Sequence, residues 1–268
     1  MTTPRMRRRR RAAGRPELSQ RDLAILESVS AHRFLTSRQI ERLHFADGIA
    51  PSAAARICRR SLSRLYDQQL LRRLERRIGG VRAGSAGYVW SLGSRADEHL
   101  GVTRGEGVRR QSREPSPTFL EHTLAVAETH LQLVVGARRA EWELVAVETE
   151  PASWRSFTHG GAAETLRPDL FAVTALNEFE DCWFIEVDRG TESLPTLVRK
   201  SQQYERYRRS GREQAASGVF PLVLWLLPNQ PRVDKLTAAI RRSQDLDERL
   251  FRLSTHMGLA DVIKKGPG

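Results

Sequence analysis

Asp169, Glu186 and Asp188 are the residues of this sequence best placed to do chemistry. Pro168-Asp169 opens an apolar run over residues 166–174, and a second run over 182–188 ends in Glu186-Val187-Asp188. Residues two apart on a strand share a face, so Glu186 and Asp188 are expected to point the same way. Pairing of the two strands would bring Asp169 beside them. Three carboxylates on one face repel one another unless a positive group lies between them. Mg²⁺ or Mn²⁺, which favour oxygen ligands, meet that need, with Asp169 and Glu186 as the metal ligands. The helix expected next, over 194–209, carries Lys200, Gln203 and Tyr207 at i, i+3, i+7 spacing. Asp169, Glu186, Asp188, Lys200, Gln203 and Tyr207 are the candidate catalytic set. The competing interpretation is a polar strand end followed by a solvated helix face.

Charge points to a second kind of site. The chain has 268 residues and a formal net charge of +12. Residues 1–113 hold 25 Arg and no Lys against 10 Asp and Glu, whereas 114–268 hold 19 Lys and Arg against 22 Asp and Glu. A segregated basic region is the footprint of a polyanion binder. The two cysteines, Cys58 and Cys182, are far apart and the seven histidines are scattered. Neither a zinc site nor a disulfide framework is expected, and a reducing cytoplasm fits. No signal peptide is expected, because no apolar segment follows the basic start. The longest apolar run, over 219–227, is too short to span a bilayer.

These residues need elements to carry them. Residues 1–16 form an arginine-rich tail, expected to be disordered when free. Helices are expected over 20–31, 37–45 and 52–71, the second opened by a Thr36 capping box. The third presents Ala54, Ile57, Cys58, Leu62 and Leu65 to a core, with Arg56, Arg59, Arg60 and Arg64 opposite. Runs over 72–78 and 88–92 around a glycine-rich loop predict a β-hairpin, with Arg72 and Arg73 at its start. Residues 101–117 predict a linker between a domain over 17–100 and another over 118–263. In the second domain a helix over 119–139 is apolar on two sides. It is therefore expected between the sheet and the first domain, with His122 as a hydrogen-bonded buried histidine and Glu121 and Glu128 on its polar edge. Strands over 142–150, 166–174, 182–188 and 220–227, a helix over 231–243 and an edge strand over 250–254 complete an α/β (α+β) fold.

Three helices and a hairpin resemble a winged helix-turn-helix domain, which implies a helix in the major groove with arginines on phosphates and guanine edges. Pro168-Asp169, Glu186 and Gln203-x-x-x-Tyr207, within the order helix, three strands, helix, strand, resemble the PD-(D/E)xK restriction-endonuclease-like αβββαβ fold. Asp188 stands where that family usually has a lysine that helps activate the attacking water; Lys200 is the candidate substitute. The combination, with residues 62–71, 119–124 (FLEHTL), Arg167 to Asp169 and 185–192 (IEVDRGTE), resembles the replication-relaxation family of actinobacterial plasmids and mobile elements. The resemblance implies a double-stranded DNA-binding protein acting in replication, maintenance or transcriptional control of such an element, with a non-catalytic nuclease-like domain. The alternative is a Mg²⁺-dependent endonuclease or nickase using Asp169 and Glu186. Double-stranded DNA is the expected partner, beside a second copy of the chain or another protein of the element; a membrane is not.

Overall fold

The structure, a computed structural model, describes residues 18–46, 48, 50–74, 87–100 and 114–266. The tail over 1–16, the glycine-rich hairpin loop and residues 101–113 of the expected linker lie outside the described residues.

Helix α1 (Gln20–His32) starts in a capping box between Ser19 and Asp22. A two-residue strand, β1 (Leu35–Thr36), leads into α2 (Ser37–His44), which Thr36 and Gln39 cap reciprocally; each box satisfies two helix-end donors. Helix α3 (Pro51–Asp67) begins with a proline, which loses no hydrogen bond at that position. It ends earlier than its periodicity suggests, and Gln69 follows at φ 61°. Strands β2 (Leu71–Arg73) and β3 (Val89–Leu92) pair antiparallel, and β1 joins the other edge of β3. A short helix, α4 (Asp97–Leu100), closes this lobe. Ala54, Cys58, Leu62 and Leu65 of α3 pack on Ile25 of α1 and Ile40 of α2.

The second lobe begins with α5 (Pro117–Arg138) and β4 (Glu143–Thr149). A hairpin of β5 (Arg155–His159) and β6 (Ala162–Leu166) precedes β7 (Leu170–Leu176) and β8 (Phe179–Val187). Then come α6 (Leu194–Arg209), α7 (Arg212–Ser217), β9 (Leu222–Leu227), α8 (Gln230–Arg242), β10 (Phe251–Thr255) and α9 (Leu259–Lys265). The five-stranded sheet runs β10-β9-β8-β7-β4: antiparallel across β4, β7 and β8, parallel across β8, β9 and β10. The parallel pairs need crossovers, which α6 and α8 supply. Leu197, Tyr204 and Leu236 pack with Phe184 and Trp225 on one face. Val126, Leu133, Leu259 and Ile263 pack with Trp183 and Ile185 on the other. With helices on both faces, β9 reads LVLWLL and carries no polar alternation.

Helix α5 belongs to both lobes, as its two apolar sides predict. Ala127 and Leu131 lie in the core of the first lobe, Leu120 and Leu124 pack on Leu74 and Val89, and Val126 and Leu133 serve the sheet. Polar contacts reinforce the junction: Gln39 Nε2 donates to the Leu124 carbonyl at 2.9 Å. Arg42 meets Glu128 at 2.5 Å, and His32 Nε2 meets His130 Nδ1 at 2.8 Å. Gly136 admits the Trp142 ring, which a Cβ would meet at 1.9 Å. The junction gives an expected proteolysis result. Trypsin should cut the arginine-containing stretch over 101–113, yet the two pieces should co-elute in native size exclusion and separate only in denaturant. Elution as two independent species would show that α5 does not hold the lobes together.

Candidate functional site

The carboxylate pair sits where the strand register puts it. Leu170 pairs with Ile185, so Asp169, one residue before β7, neighbours Glu186 of β8. Both are buried, Asp169 7% and Glu186 1% exposed. Each of their four oxygens has a protein donor. His122 Nε2 of α5 lies 3.1 Å from Asp169 Oδ1, and the Val187 backbone N–H donates to Oδ2 at 2.7 Å. Lys200 Nζ of α6 lies 2.5 Å from Glu186 Oε2, and Tyr204 Oη donates to Oε1.

The electrostatics follow from this arrangement. Burial opposes the charge on Asp169, but the His122 hydrogen bond and the Lys200 charge outweigh it and hold the carboxyl below its ordinary value. The same hydrogen bond raises His122, against burial. Burial pushes Glu186 up to about 8, with Asp169 adding to the rise and Lys200 opposing it. Burial also opposes the charge on Lys200, but Glu186 and Asp169 raise it above the usual lysine range. Glu186 and Lys200 together therefore retain a proton more tightly than an exposed pair would. A cleft lined by Arg33, Phe119, His122, Thr149 and Glu150, among others, leads from the lobe junction to Asp169.

Three of the expected site residues lie elsewhere. Asp188 follows the last residue of β8 and still donates its backbone N–H to the Leu226 carbonyl at 2.9 Å, so it turns to the same face as Glu186, but another partner holds it. Its carboxylate pairs with Arg232 of α8 and accepts from the Gly190 N–H at 3.0 Å. Gln203 donates to the Thr165 carbonyl at 3.1 Å and Tyr207 donates to Glu213, so both tie α6 to its neighbours rather than to the pair. Glu121 and Glu128, on the polar edge of α5, pair with Arg189 and Arg42. Tyr204 was not apparent from the sequence, although it stands one turn after Lys200.

A divalent cation at this pair would have to share or displace the donors already on its four oxygens. Mg²⁺ asks for an octahedron of oxygens, and here each carboxylate oxygen is already engaged. Lys200 and His122 supply the counter-charge, and Asp188 is balanced by Arg232. Among the described residues, no three His, Cys, Asp or Glu side chains form a group able to hold a metal ion.

The arginine face of α3 divides in two. Arg56, Arg59 and Arg60 are exposed and take part in none of the ion pairs among the described residues. Arg64 instead reaches back to the buried Asp22 at 2.6 Å, where it supports the capping box of α1. Arg72 is half-buried on β2. Arg73 is exposed, with its guanidinium 4.3 Å from the Tyr88 ring centroid and 5.6 Å from that of Tyr66.

Fold and site together define a two-lobed α/β protein: a basic helical lobe beside a mixed-sheet lobe that buries an Asp–Glu–Lys cluster. The chain belongs to the replication-relaxation family, whose model matches residues 26–223, well over half of its length. That description ties it to replication or relaxation. The chain shows no significant match to a curated protein or to a solved structure. Among the described residues, no helix is long and apolar enough to cross a membrane.

Proposed function

We propose that this protein binds double-stranded DNA through α3 and serves the replication or maintenance of a plasmid or mobile element, with a second lobe that does not cut. In this proposal the first lobe is a winged helix-turn-helix and the second a PD-(D/E)xK-like fold. The observation that carries it is the exposed row Arg56, Arg59 and Arg60, spaced by one helical turn and free of the structural ion pair that occupies Arg64. Such a row is suited to phosphates and to guanine edges. The non-cutting second lobe is supported by the four engaged carboxylate oxygens.

One observation favours a second function, a metal-dependent endonuclease: Lys200 reaches Glu186 from the helix, which is where the missing strand lysine would be needed. For that function, Lys200 and His122 would have to yield the carboxylates to a cation. Supercoiled plasmid incubated with the protein and Mg²⁺, Mn²⁺ or EDTA separates the two. The expected result is retarded, intact plasmid in all three, and no metal-induced rise in melting temperature beyond that of the Asp169→Asn variant. Metal-dependent nicking that disappears in Asp169→Ala would replace the first proposal with the second. Plasmid that is neither retarded nor cut would remove both.

A further inference from the structure

We propose that Arg73 is a preorganised contact to the DNA backbone, and that Tyr66 and Tyr88 are the residues that position it. The inference rests on the DNA-binding function proposed above. Arg73 is the last residue of β2, Tyr66 lies in the last turn of α3, and Tyr88 immediately precedes β3. The two rings hold the guanidinium between the end of the arginine-bearing helix and the base of the hairpin. The clasp is itself anchored. The buried Trp90 meets Tyr66 and Tyr88 edge-on, with centroids 6.3 Å and 6.1 Å away, and its Nε1–H donates to Ser37 Oγ at 2.8 Å.

A guanidinium stacked on aromatic rings keeps its N–H groups free at its in-plane edge, the direction from which a phosphate is bound. Stacking also removes rotamer freedom before DNA arrives, so less is lost on binding. Among the described residues, Arg56, Arg59 and Arg60 have no such ring support. The clasp further accounts for Tyr66, which is 44% exposed at the end of a helix whose other apolar residues turn inward. Phosphate is the chemical class recognised, because an immobilised planar cation offers two parallel donors to an oxyanion. On this view the hairpin base fixes register on the duplex, and the α3 arginines read within that register.

The test is the affinity of the full chain for a labelled duplex across a salt series, with the melting temperature of each variant measured alongside. Tyr66 is exposed, so its variants should fold. Tyr66→Phe, which keeps the ring, should bind like the parent. Tyr66→Leu should bind about threefold more weakly with the salt slope nearly unchanged. Arg73→Ala should lose about tenfold and lower the slope by about one. Tyr66→Leu placed on Arg73→Ala should add nothing, since the ring acts through the arginine. Parent-like binding by Arg73→Ala, or an undiminished Tyr66→Leu effect in its background, would overturn the proposal. If Arg59→Ala with Arg60→Ala still weakens binding in that case, the α3 function survives and only the clasp is lost. A parent chain that binds no duplex removes both.

Discussion

Replacing Lys200 with methionine is expected to destabilise the protein by about 3 kcal/mol, the lower end of the cost of breaking a buried ion pair. The lower end applies because the Lys200 side chain is 30% exposed while that of Glu186 is 1% exposed. In a chain of this size, that loss corresponds to a fall in melting temperature of roughly 6–12 °C. Its pH dependence has a definite sign. A carboxyl whose folded pKa is raised favours folding below its unfolded value, and this contribution is lost as pH rises through the folded value. For Glu186 the window runs from its ordinary value of 4.5 to about 8. Lys200→Met should therefore cost more at pH 9, where Glu186 must be charged, than at pH 6. The double variant Glu186→Gln with Lys200→Met should recover most of the stability, because neither charge remains buried without its partner. Thermal melts of the three proteins at both pH values check this. A single variant that melts within a degree of the parent at pH 9 would mean that Lys200 does not neutralise the pair.

Arg59→Ala combined with Arg60→Ala should weaken duplex binding by roughly 100-fold at physiological salt, about tenfold for each lost contact. The slope of log K against log salt should fall by about two, since each neutralised phosphate releases its counterion. Arg64→Ala should behave differently despite lying on the same helix. Its guanidinium holds the buried Asp22, so the main loss should appear in the melting temperature. Fluorescence anisotropy on one duplex, with melts on the same samples, separates the two kinds of arginine. Equal affinity of the double variant and the parent would place the DNA contact elsewhere on the molecule.

Periodicity made most of the framework legible, because burial imposes it. The two-sided pattern of α5 predicts a helix between two cores, and the uniform apolarity of β9 predicts a strand covered on both faces. The convergence of Asp169, Glu186 and Lys200 follows from strand pairing plus one helical turn. Asp188 shares the face of Glu186, as alternation predicts, but Arg232 of α8 claims its carboxylate, and a partner 44 residues further along the chain is not encoded in strand spacing. Tyr204 was hidden by helical geometry, since residues three and four beyond Lys200 are both its neighbours and spacing does not say which one faces the sheet. The hairpin of β5 and β6 is short, and much of it is polar and exposed, so it lacks an apolar signature. Its turn, Gly160-Gly161, was nonetheless a usable signal. The Arg64–Asp22 contact joins residues 42 apart, and helical periodicity alone does not encode such a pairing.

The placement of α5 in two cores also governs which parts of the chain are free to vary. A segment whose only task is to connect can change length and composition with little effect on the bodies it joins, since added loop closes at a small entropic cost. If 101–113 serves as the expected linker, insertion of several residues there should leave the span of DNA protected from nuclease digestion unaltered, because α5 packs in both lobes. The helix itself has the opposite character. A change at Ala127 or Leu131 is felt by one lobe, and a change at Val126 or Leu133 by the other, along a single rigid rod. Drift in either lobe must therefore be matched through that rod, which makes both apolar sides of α5 intolerant of substitution.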